Sequence, residues 1–356
     1  MGTVEPVHSP VDAGCLPTAL DVSWFPVEDT TAVGAVRRAA DALARRLGFG
    51  EQRAAEVGIV ATELASNLRK HADEGVMLLR SGRAGDGQPL VELVAIDSGP
   101  GMAEPATAWQ DGRSTAGSLG IGLGAVARLA DSHDAVSEPG RGSVFVARLH
   151  AMAPDGAALP GVDDSIAGLT RAVTGETVCG DVYAVRCSGR RLSIMMCDGS
   201  GHGPLAAAAS QRAARVFCDG EACPPEAAVA RIHAALEGTR GGAVAVAEYD
   251  PVTGNVRYAG VGNIGGALLS PDGRQGMVSL PGIAGYQARP IRAFEYRAAP
   301  GTLLVMHSDG LTERWTVEGR HRLLAAAPVL VASVLLREAG VRRDDASVVV
   351  ARLDAR

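Results

Sequence analysis

The stretch Ala116–His133, AGSLGIGLGAVARLADSH, decides between two folds. Its glycines align as Gly122-x-Gly124-x-x-Ala127, close to the run that seats a dinucleotide pyrophosphate at a helix N-terminus. That reading requires a buried strand directly before the glycines, opening a βαβ unit. Here the preceding residues are DGRSTAGS, polar and loop-like. The glycine run enters its helix from a loop, which counts against the dinucleotide fold.

Working outward, the 356 residues suffice for two domains with separate cores. Hydrophobic content of 47% with 21% charge belongs to globular chains rather than disordered ones. The net charge of −6 offers no electrostatic reason to expect nucleic acid or an anionic membrane as partner. The first residues, MGTVEPVHSP, have neither the basic nor the apolar region of a signal peptide. The longest apolar run, APVLVASVLL, falls well short of the ~20 residues of a membrane helix. Six cysteines show no CxxC pair and no disulfide-framework spacing, so reduced, mostly buried thiols and a cytoplasmic location are expected. Lys70 is the sole lysine. A P-loop needs Gly-Lys-Ser/Thr and a eukaryotic-type kinase needs a strand lysine; neither motif is present.

Apolar residues recur at helical spacing in TAVGAVRRAADALARRLGF and EQRAAEVGIVATELASNLRKHA. GVMLLRS, PLVELVAID and SVFVARLH predict strands, Ser98 to Leu119 a loop, and GAVARLAD a helix. AMAPDGAALPGVDD reads as a linker. Beyond it come short strands with glycine turns: DVYAVRCSG, RLSIMMCD, GAVAVAEYD, NVRYAG, TLLVMHSD and ASVVVARL. Helices are predicted at GPLAAAASQRAARVF, PPEAAVARIHAAL and APVLVASVLLREA. The expected division is a tail over 1–20, a first domain over 21–150, a linker over 151–163 and a second domain over 164–356.

Two features lie upstream of the glycine run. TELASN sets Glu63 and Asn67 four residues apart on one helix face. AIDSGPGM sets Asp97 at a strand end, followed by Gly99 and Gly101. In this order and spacing, the three motifs resemble the N, G1 and G2 boxes of the GHKL ATP-binding superfamily, over roughly Val22 to Leu149. The resemblance implies an α/β sandwich of the Bergerat type. Asn67 would hold Mg²⁺ on the ATP phosphates and Asp97 would accept from the adenine amino group. Gly99 and Gly101 would admit the base, while Gly120, Gly122 and Gly124 would let a lid close over the phosphates. The details look like the RsbT-type switch kinases, relatives of the anti-sigma factor RsbW. In that branch Glu63 would be the general base toward a substrate serine.

The second domain carries aspartates at strand edges: CGDVY (Asp181), CDGSGHG (Asp198), HSDGLTE (Asp309) and RRDDASVVV (Asp344, Asp345). Carboxylates 4 Å apart repel by about 4 kcal/mol at an effective dielectric near 20, so gathering them implies divalent cations. An all-oxygen set favours Mg²⁺ or Mn²⁺ over zinc. The set resembles the PPM metal-dependent Ser/Thr phosphatases in their SpoIIE/RsbX branch, over roughly Ser165 to Leu353, which implies a β-sandwich flanked by helices. By that resemblance Asp181, Asp198, Asp309 and Asp344 would be ligands of two Mn²⁺ or Mg²⁺ ions, with Gly199 offering its carbonyl. Ala184 stands where a further aspartate is common, and AGVGNIGGALL replaces the usual Gly-His-Pro-Pro. His202 is read as part of a structural turn ahead of a proton-donor role; His71, His307 and His321 are read as ordinary, and Cys179 and Cys197 as packing residues.

Together the resemblances imply a two-domain α/β chain that adds and removes phosphate on serine or threonine of STAS-domain anti-anti-sigma or stressosome proteins, within sigma-factor signalling. Two alternatives stay open: an ATP-binding anti-sigma module that only sequesters a partner, or an ATP domain that only senses.

Overall fold

The strand PLVELVAI is buried along both faces from Leu90 onward. Its sheet must therefore be covered on two sides, which orders the layers of the whole molecule. The computed structural model describes residues 15–17, 22–83, 88–109, 122–152, 165–288, 290–341 and 343–354.

A two-residue strand, β1 (Leu16–Pro17), precedes the first domain. That domain contains β2 (Val22–Pro26), α1 (Thr30–Arg46), α2 (Glu51–His71), β3 (Val76–Arg83) and β4 (Pro89–Ile96). It closes with α3 (Gly122–Leu129), β5 (Ser132–Glu138) and β6 (Gly142–His150). The strands form an antiparallel sheet in the order β2-β3-β4-β6-β5. Asp29 caps α1 by accepting from the Ala32 N–H at 2.7 Å. Val33, Val36, Ala40 and Leu43 face inward at helical spacing, and Arg45 and Arg46 suit the dipole of the last turn.

The second domain begins with β7 (Ile166–Arg171), β8 (Asp181–Ser188) and β9 (Arg191–Gly199), then α4 (Pro204–Asp219) and α5 (Pro225–Ala235). β10 (Gly242–Asp250), β11 (Asn255–Val261), β12 (Gly265–Ser270) and β13 (Gly273–Met277) follow. A small hairpin, β14 (Gly282–Ile283) with β15 (Gln287–Ala288), leads to β16 (Phe294–Arg297) and β17 (Thr302–His307). The chain ends in α6 (His321–Ala325), α7 (Pro328–Ala339) and β18 (Ala346–Leu353). Two sheets, β1-β8-β9-β10-β11-β16 and β13-β12-β17-β18-β7, pack face to face.

Period-two alternation assigns each strand face. In the first domain Met77, Leu79, Val91, Leu93, Ala95, Phe145, Ala147 and Leu149 meet α1 and α2. The opposite face, with Leu78, Val94, Ile96, Val144 and Val146, meets α7, whose other side packs on β7, β12, β17 and β18. Val329 to Leu336 are all buried, as an apolar helix with no polar face requires. The layers therefore run from α1 and α2 through the first sheet, α7 and the two sandwich sheets to α4 and α5.

The same junction holds a buried ion network. Glu92 accepts from Arg148 Nε at 2.6 Å and also from Arg80, which donates onward to the Gly168 carbonyl of β7 at 2.8 Å. Burial works against the Glu92 carboxylate, but the two guanidiniums overcome it and hold its pKa down to about 2. Trp24 Nε1 donates to the Thr170 carbonyl at 2.9 Å across the same seam.

Three expectations change. The loop from Ser98 contains a 3₁₀ turn at Pro105–Trp109. β1, expected in a free tail, pairs antiparallel with β8 of the second domain. That pairing sets Cys15 beside the end of α4, where it forms a disulfide with Cys218 across 203 residues of sequence. The expectation that all six cysteines are reduced is corrected: local spacing cannot show a pair made by a long-range strand contact. Cys179, Cys187, Cys197 and Cys223 are free.

Because α7 belongs to both cores, Leu335→Ala should cost about 2–5 kcal/mol and weaken both domains in one step. Urea unfolding followed by tryptophan fluorescence and by circular dichroism should give coincident transitions, both moved to lower urea. An unchanged transition of the first domain would contradict this.

Candidate functional site

On the first domain, α2 carries Glu63 and Asn67 one turn apart. Glu63 faces the start of α3: a Cβ placed on Gly122 would stand 3.2 Å from Glu63 Oε2. Asp97 follows β4, and its Oδ1 accepts from the Gly99 N–H at 2.8 Å and the Ser143 N–H at 3.2 Å. Burial pushes this carboxyl up despite relief from those amides and from Arg337. Both of these backbone bonds fall on Oδ1.

Gly101 has φ +65°, and a Cβ there would lie 2.0 Å from the Glu138 carbonyl. At Gly99 a Cβ would meet the His71 carbonyl at 2.9 Å. The close approach that excludes a side chain at both positions is made by the chain's own backbone. Gly122 and Gly124 sit in the first turn of α3, which starts two residues before the predicted helix. Gly120 lies outside the described residues.

In the second domain the aspartates arrive on separate elements. Asp181 and Asp198 are cross-strand partners on β8 and β9, Asp309 follows β17, and Asp344 precedes β18. Asp198, Asp309 and Asp344 line one open cleft of about 600 Å³, with Ser200, Asn263 and Ile283 on its walls. Asp181 lies behind it, with Oδ1 and Oδ2 both buried and without a hydrogen-bond partner. The nearby Ser308 and Ser347 hydroxyls moderate its shift, yet burial, with Asp345 and Asp309 adding, raises its pKa to about 7. Asp198 is pushed up to about 9 by burial and then by Asp181, Asp309 and Asp344. Burial and Asp309 raise Asp344 as well.

Asp181, Asp198 and Asp344, raised by burial and by neighbouring carboxylates, with both Asp181 oxygens orphaned, fit a divalent cation as the missing counter-charge. The donors are all oxygen, as Mg²⁺ and Mn²⁺ prefer. Among the described residues no three acidic, histidine or cysteine side chains stand as a ready-made cage around one ion; the aspartates surround a cleft instead. Gly199 is fixed by close packing, because a Cβ there would lie 2.3 Å from the Ala206 carbonyl.

The paired aspartates Asp344 and Asp345 part company. Asp345 is buried and accepts from the Val173 N–H at 2.8 Å and the Gly180 N–H at 2.7 Å, clasping the loop that presents Asp181. Sequence reasoning did not single out this clasp. It also missed that Asn263 Nδ2 donates to Asp309 Oδ2 at 2.7 Å; the signal was the asparagine in GVGNIGG, seen only as a departure from a motif. His307, read as ordinary, is buried against Trp315, with Nε2 3.4 Å from Glu313. His202 is exposed and pairs through Nδ1 with Glu176 at 2.9 Å. Burial pushes the Cys179 and Cys197 thiols up, in keeping with packing roles.

Residues 25–147 match the family described as histidine kinase-like ATPase domain, and residues 188–354 match stage II sporulation protein E, SpoIIE. The serine/threonine-protein kinase RsbT of Bacillus subtilis is 34% identical over 109 residues, 31% of this chain and 81% of RsbT. This chain joins the two families in tandem. The phosphoserine phosphatase RsbX of the same organism is 26% identical over 140 residues, 38% of this chain and 69% of RsbX. A crystal structure of RsbX in complex with magnesium covers 53% of this chain and 94% of its own, at 21% identity and a TM-score of 0.47. The chain thus carries a kinase-like ATPase domain of the partner-switching type and a SpoIIE-type phosphatase domain. No described helix is long and apolar enough to cross a membrane.

The neighbouring aspartates should separate cleanly in experiment. Asp345→Ala strands two buried amides and should cost at least about 2 kcal/mol of stability. Asp344→Ala removes a repelled carboxylate that, among the described residues, accepts only from the Asp345 N–H at 2.9 Å, and should cost less stability than Asp345→Ala while phosphatase activity collapses. Urea midpoints and p-nitrophenyl phosphate turnover on both variants check this; the reverse assignment of stability and activity would refute it.

Proposed function

We propose that this chain sets the phosphorylation state of serine or threonine on STAS-domain partners, the first domain adding phosphate from ATP and the second removing it. The observation that carries the reading is the convergence of Asp181, Asp198, Asp309 and Asp344, with both Asp181 oxygens unpartnered.

In the second domain Asp181, Asp198, Asp309 and Asp344, with the Gly199 carbonyl, would hold divalent metal. When bound, such ions supply Lewis-acid neutralisation of phosphoryl charge and a water of lowered pKa. Asn263 orients the Asp309 carboxylate by its amide hydrogen bond. Asp345 fixes the loop before Asp181. The cleft is open on one side, so a serine or threonine phosphate on a protein surface can enter.

In the first domain Asp97 Oδ2 would accept from the adenine amino group, and Asn67 would ligand Mg²⁺ with the ATP phosphates. Glu63 would take the proton of the attacking hydroxyl, from a position facing the N-terminus of α3. The similarity to RsbT, a kinase, supports a transferase rather than a purely sequestering module.

The chain should hydrolyse p-nitrophenyl phosphate or a phosphoserine protein with Mn²⁺ or Mg²⁺, fall silent in EDTA, and lose nearly all activity in Asp309→Asn. Activity that survives chelation would end the phosphatase assignment. Calorimetry should show Mg·ATP binding weakened at least about tenfold by Asp97→Asn, the scale of one lost charge-assisted hydrogen bond. Equal affinity in that variant would remove Asp97 from the nucleotide site.

A further inference from the structure

Helix α7 ends between the two proposed sites, and its last turn touches both. On one side Arg337 Nη1 donates to the Asp97 carbonyl at 2.9 Å and lies 3.5 Å from the Ser143 carbonyl. On the other, the Ala339 carbonyl accepts from the Thr312 N–H at 2.9 Å, and the Val341 N–H donates to the Gly310 carbonyl at 2.7 Å. Leu311 and Gly340 form an antiparallel bridge between these bonds. Two residues of one helical turn therefore separate the backbone of Asp97 from the segment that begins at Asp309.

A second set of contacts holds the same nucleotide-side loop. Arg320 binds Glu338 of α7 through both terminal nitrogens, at 2.8 and 3.0 Å, and donates from Nε to Glu138 at 3.0 Å. The Glu138 carbonyl is the group packed behind Gly101. Arg322 donates to the Ala103 carbonyl at 2.8 Å. Backbone or side-chain acceptors of Asp97, Ala103 and Glu138, which frame the loop DSGPGMA, are thus held by arginines of the phosphatase domain. The body of the helix, Val329 to Leu336, is buried throughout and cannot yield sideways.

We infer that α7 couples the two sites, so that nucleotide held at Asp97 orders the Asp309–Thr312 segment through Arg337, and phosphatase competence responds to nucleotide occupancy. This rests on the nucleotide reading of Asp97 given above. Binding that fixes the Asp97 backbone fixes the acceptor of Arg337. The same turn then presents Ala339 and Val341 to the metal-side loop in a narrower range of positions. Coupling of this kind is reciprocal in binding: order imposed on the Asp309 segment tightens nucleotide by the same factor.

Hydrogen exchange reads the coupling directly. The full chain is compared with and without AMP-PNP at constant Mg²⁺, after calorimetry has established that the analogue binds. Exchange at the Thr312 and Val341 amides should slow by at least about fivefold, the lower end of usual allosteric coupling, while amides of α5 stay unchanged. In Arg337→Ala the analogue should still bind, with the effect on Thr312 and Val341 reduced below about twofold. Arg337→Lys keeps the charge without the fork, and should give an intermediate effect if the alanine variant fails to fold. Bound analogue with no change at these two amides would overturn the coupling and leave the nucleotide site standing. An undiminished effect in both variants would remove Arg337 from the route. Failure of the analogue to bind would overturn the site and the coupling together.

Discussion

An apolar helix without a solvent face must be covered on every side, and α7 is covered by two different domains. Its residues Val329 to Leu336 are buried throughout, with the first sheet on one flank and the β7-β18-β17-β12 surface on the other. Each large apolar side chain so enclosed contributes about 1.5–3 kcal/mol relative to exposure. Removing either domain would strand that surface. The tandem arrangement is for this reason a single layered body across the seam, with the Glu92 network and the Trp24 bond as its polar register marks.

The second constraint is electrostatic. Folding the sandwich sets Asp181 opposite Asp198 in neighbouring strands, and the ends of β17 and β18 add Asp309 and Asp344. Asp181 and Asp198 are raised by burial and by neighbouring carboxylates, whereas Arg80 and Arg148 neutralise Glu92. The same fold thus shows both outcomes of a buried carboxylate: one lowered by cations of the chain itself, the others raised by burial and by one another. That contrast sets Asp181 and Asp198 apart from the self-neutralised Glu92.

Much of this was legible in the residues. Short apolar runs in GVMLLRS, PLVELVAID and SVFVARLH foretold the central strands, and the polar DGRSTAGS before Gly122 argued against a dinucleotide fold. The motif aspartates were legible because strand edges in DVYAVRCSG, RLSIMMCD, TLLVMHSD and ASVVVARL place them. Short or edge strands were not: SHDAVSE of β5 is too polar to signal a strand, and FEYR of β16 is too short. Long-range pairings were equally silent, among them the β1–β8 bridge that joins Cys15 to Cys218. Asp345 and Asp344 look identical in RRDDASVVV; only the amides of Val173 and Gly180, far away in sequence, mark Asp345 as the clasp and leave Asp344 facing the cleft.

The account stands on two opposed activities residing in one chain, and mass spectrometry of a candidate STAS protein after incubation with Mg·ATP tests that most directly. With Asp198→Asn, which should disable removal, phosphoserine or phosphothreonine should accumulate on the partner. With Asp198→Asn and Glu63→Ala together none should form, and the parent chain added afterwards with Mn²⁺ should erase what the single variant made. Phosphate that never appears on any STAS partner with Asp198→Asn, or that forms equally with Glu63→Ala, would contradict the account.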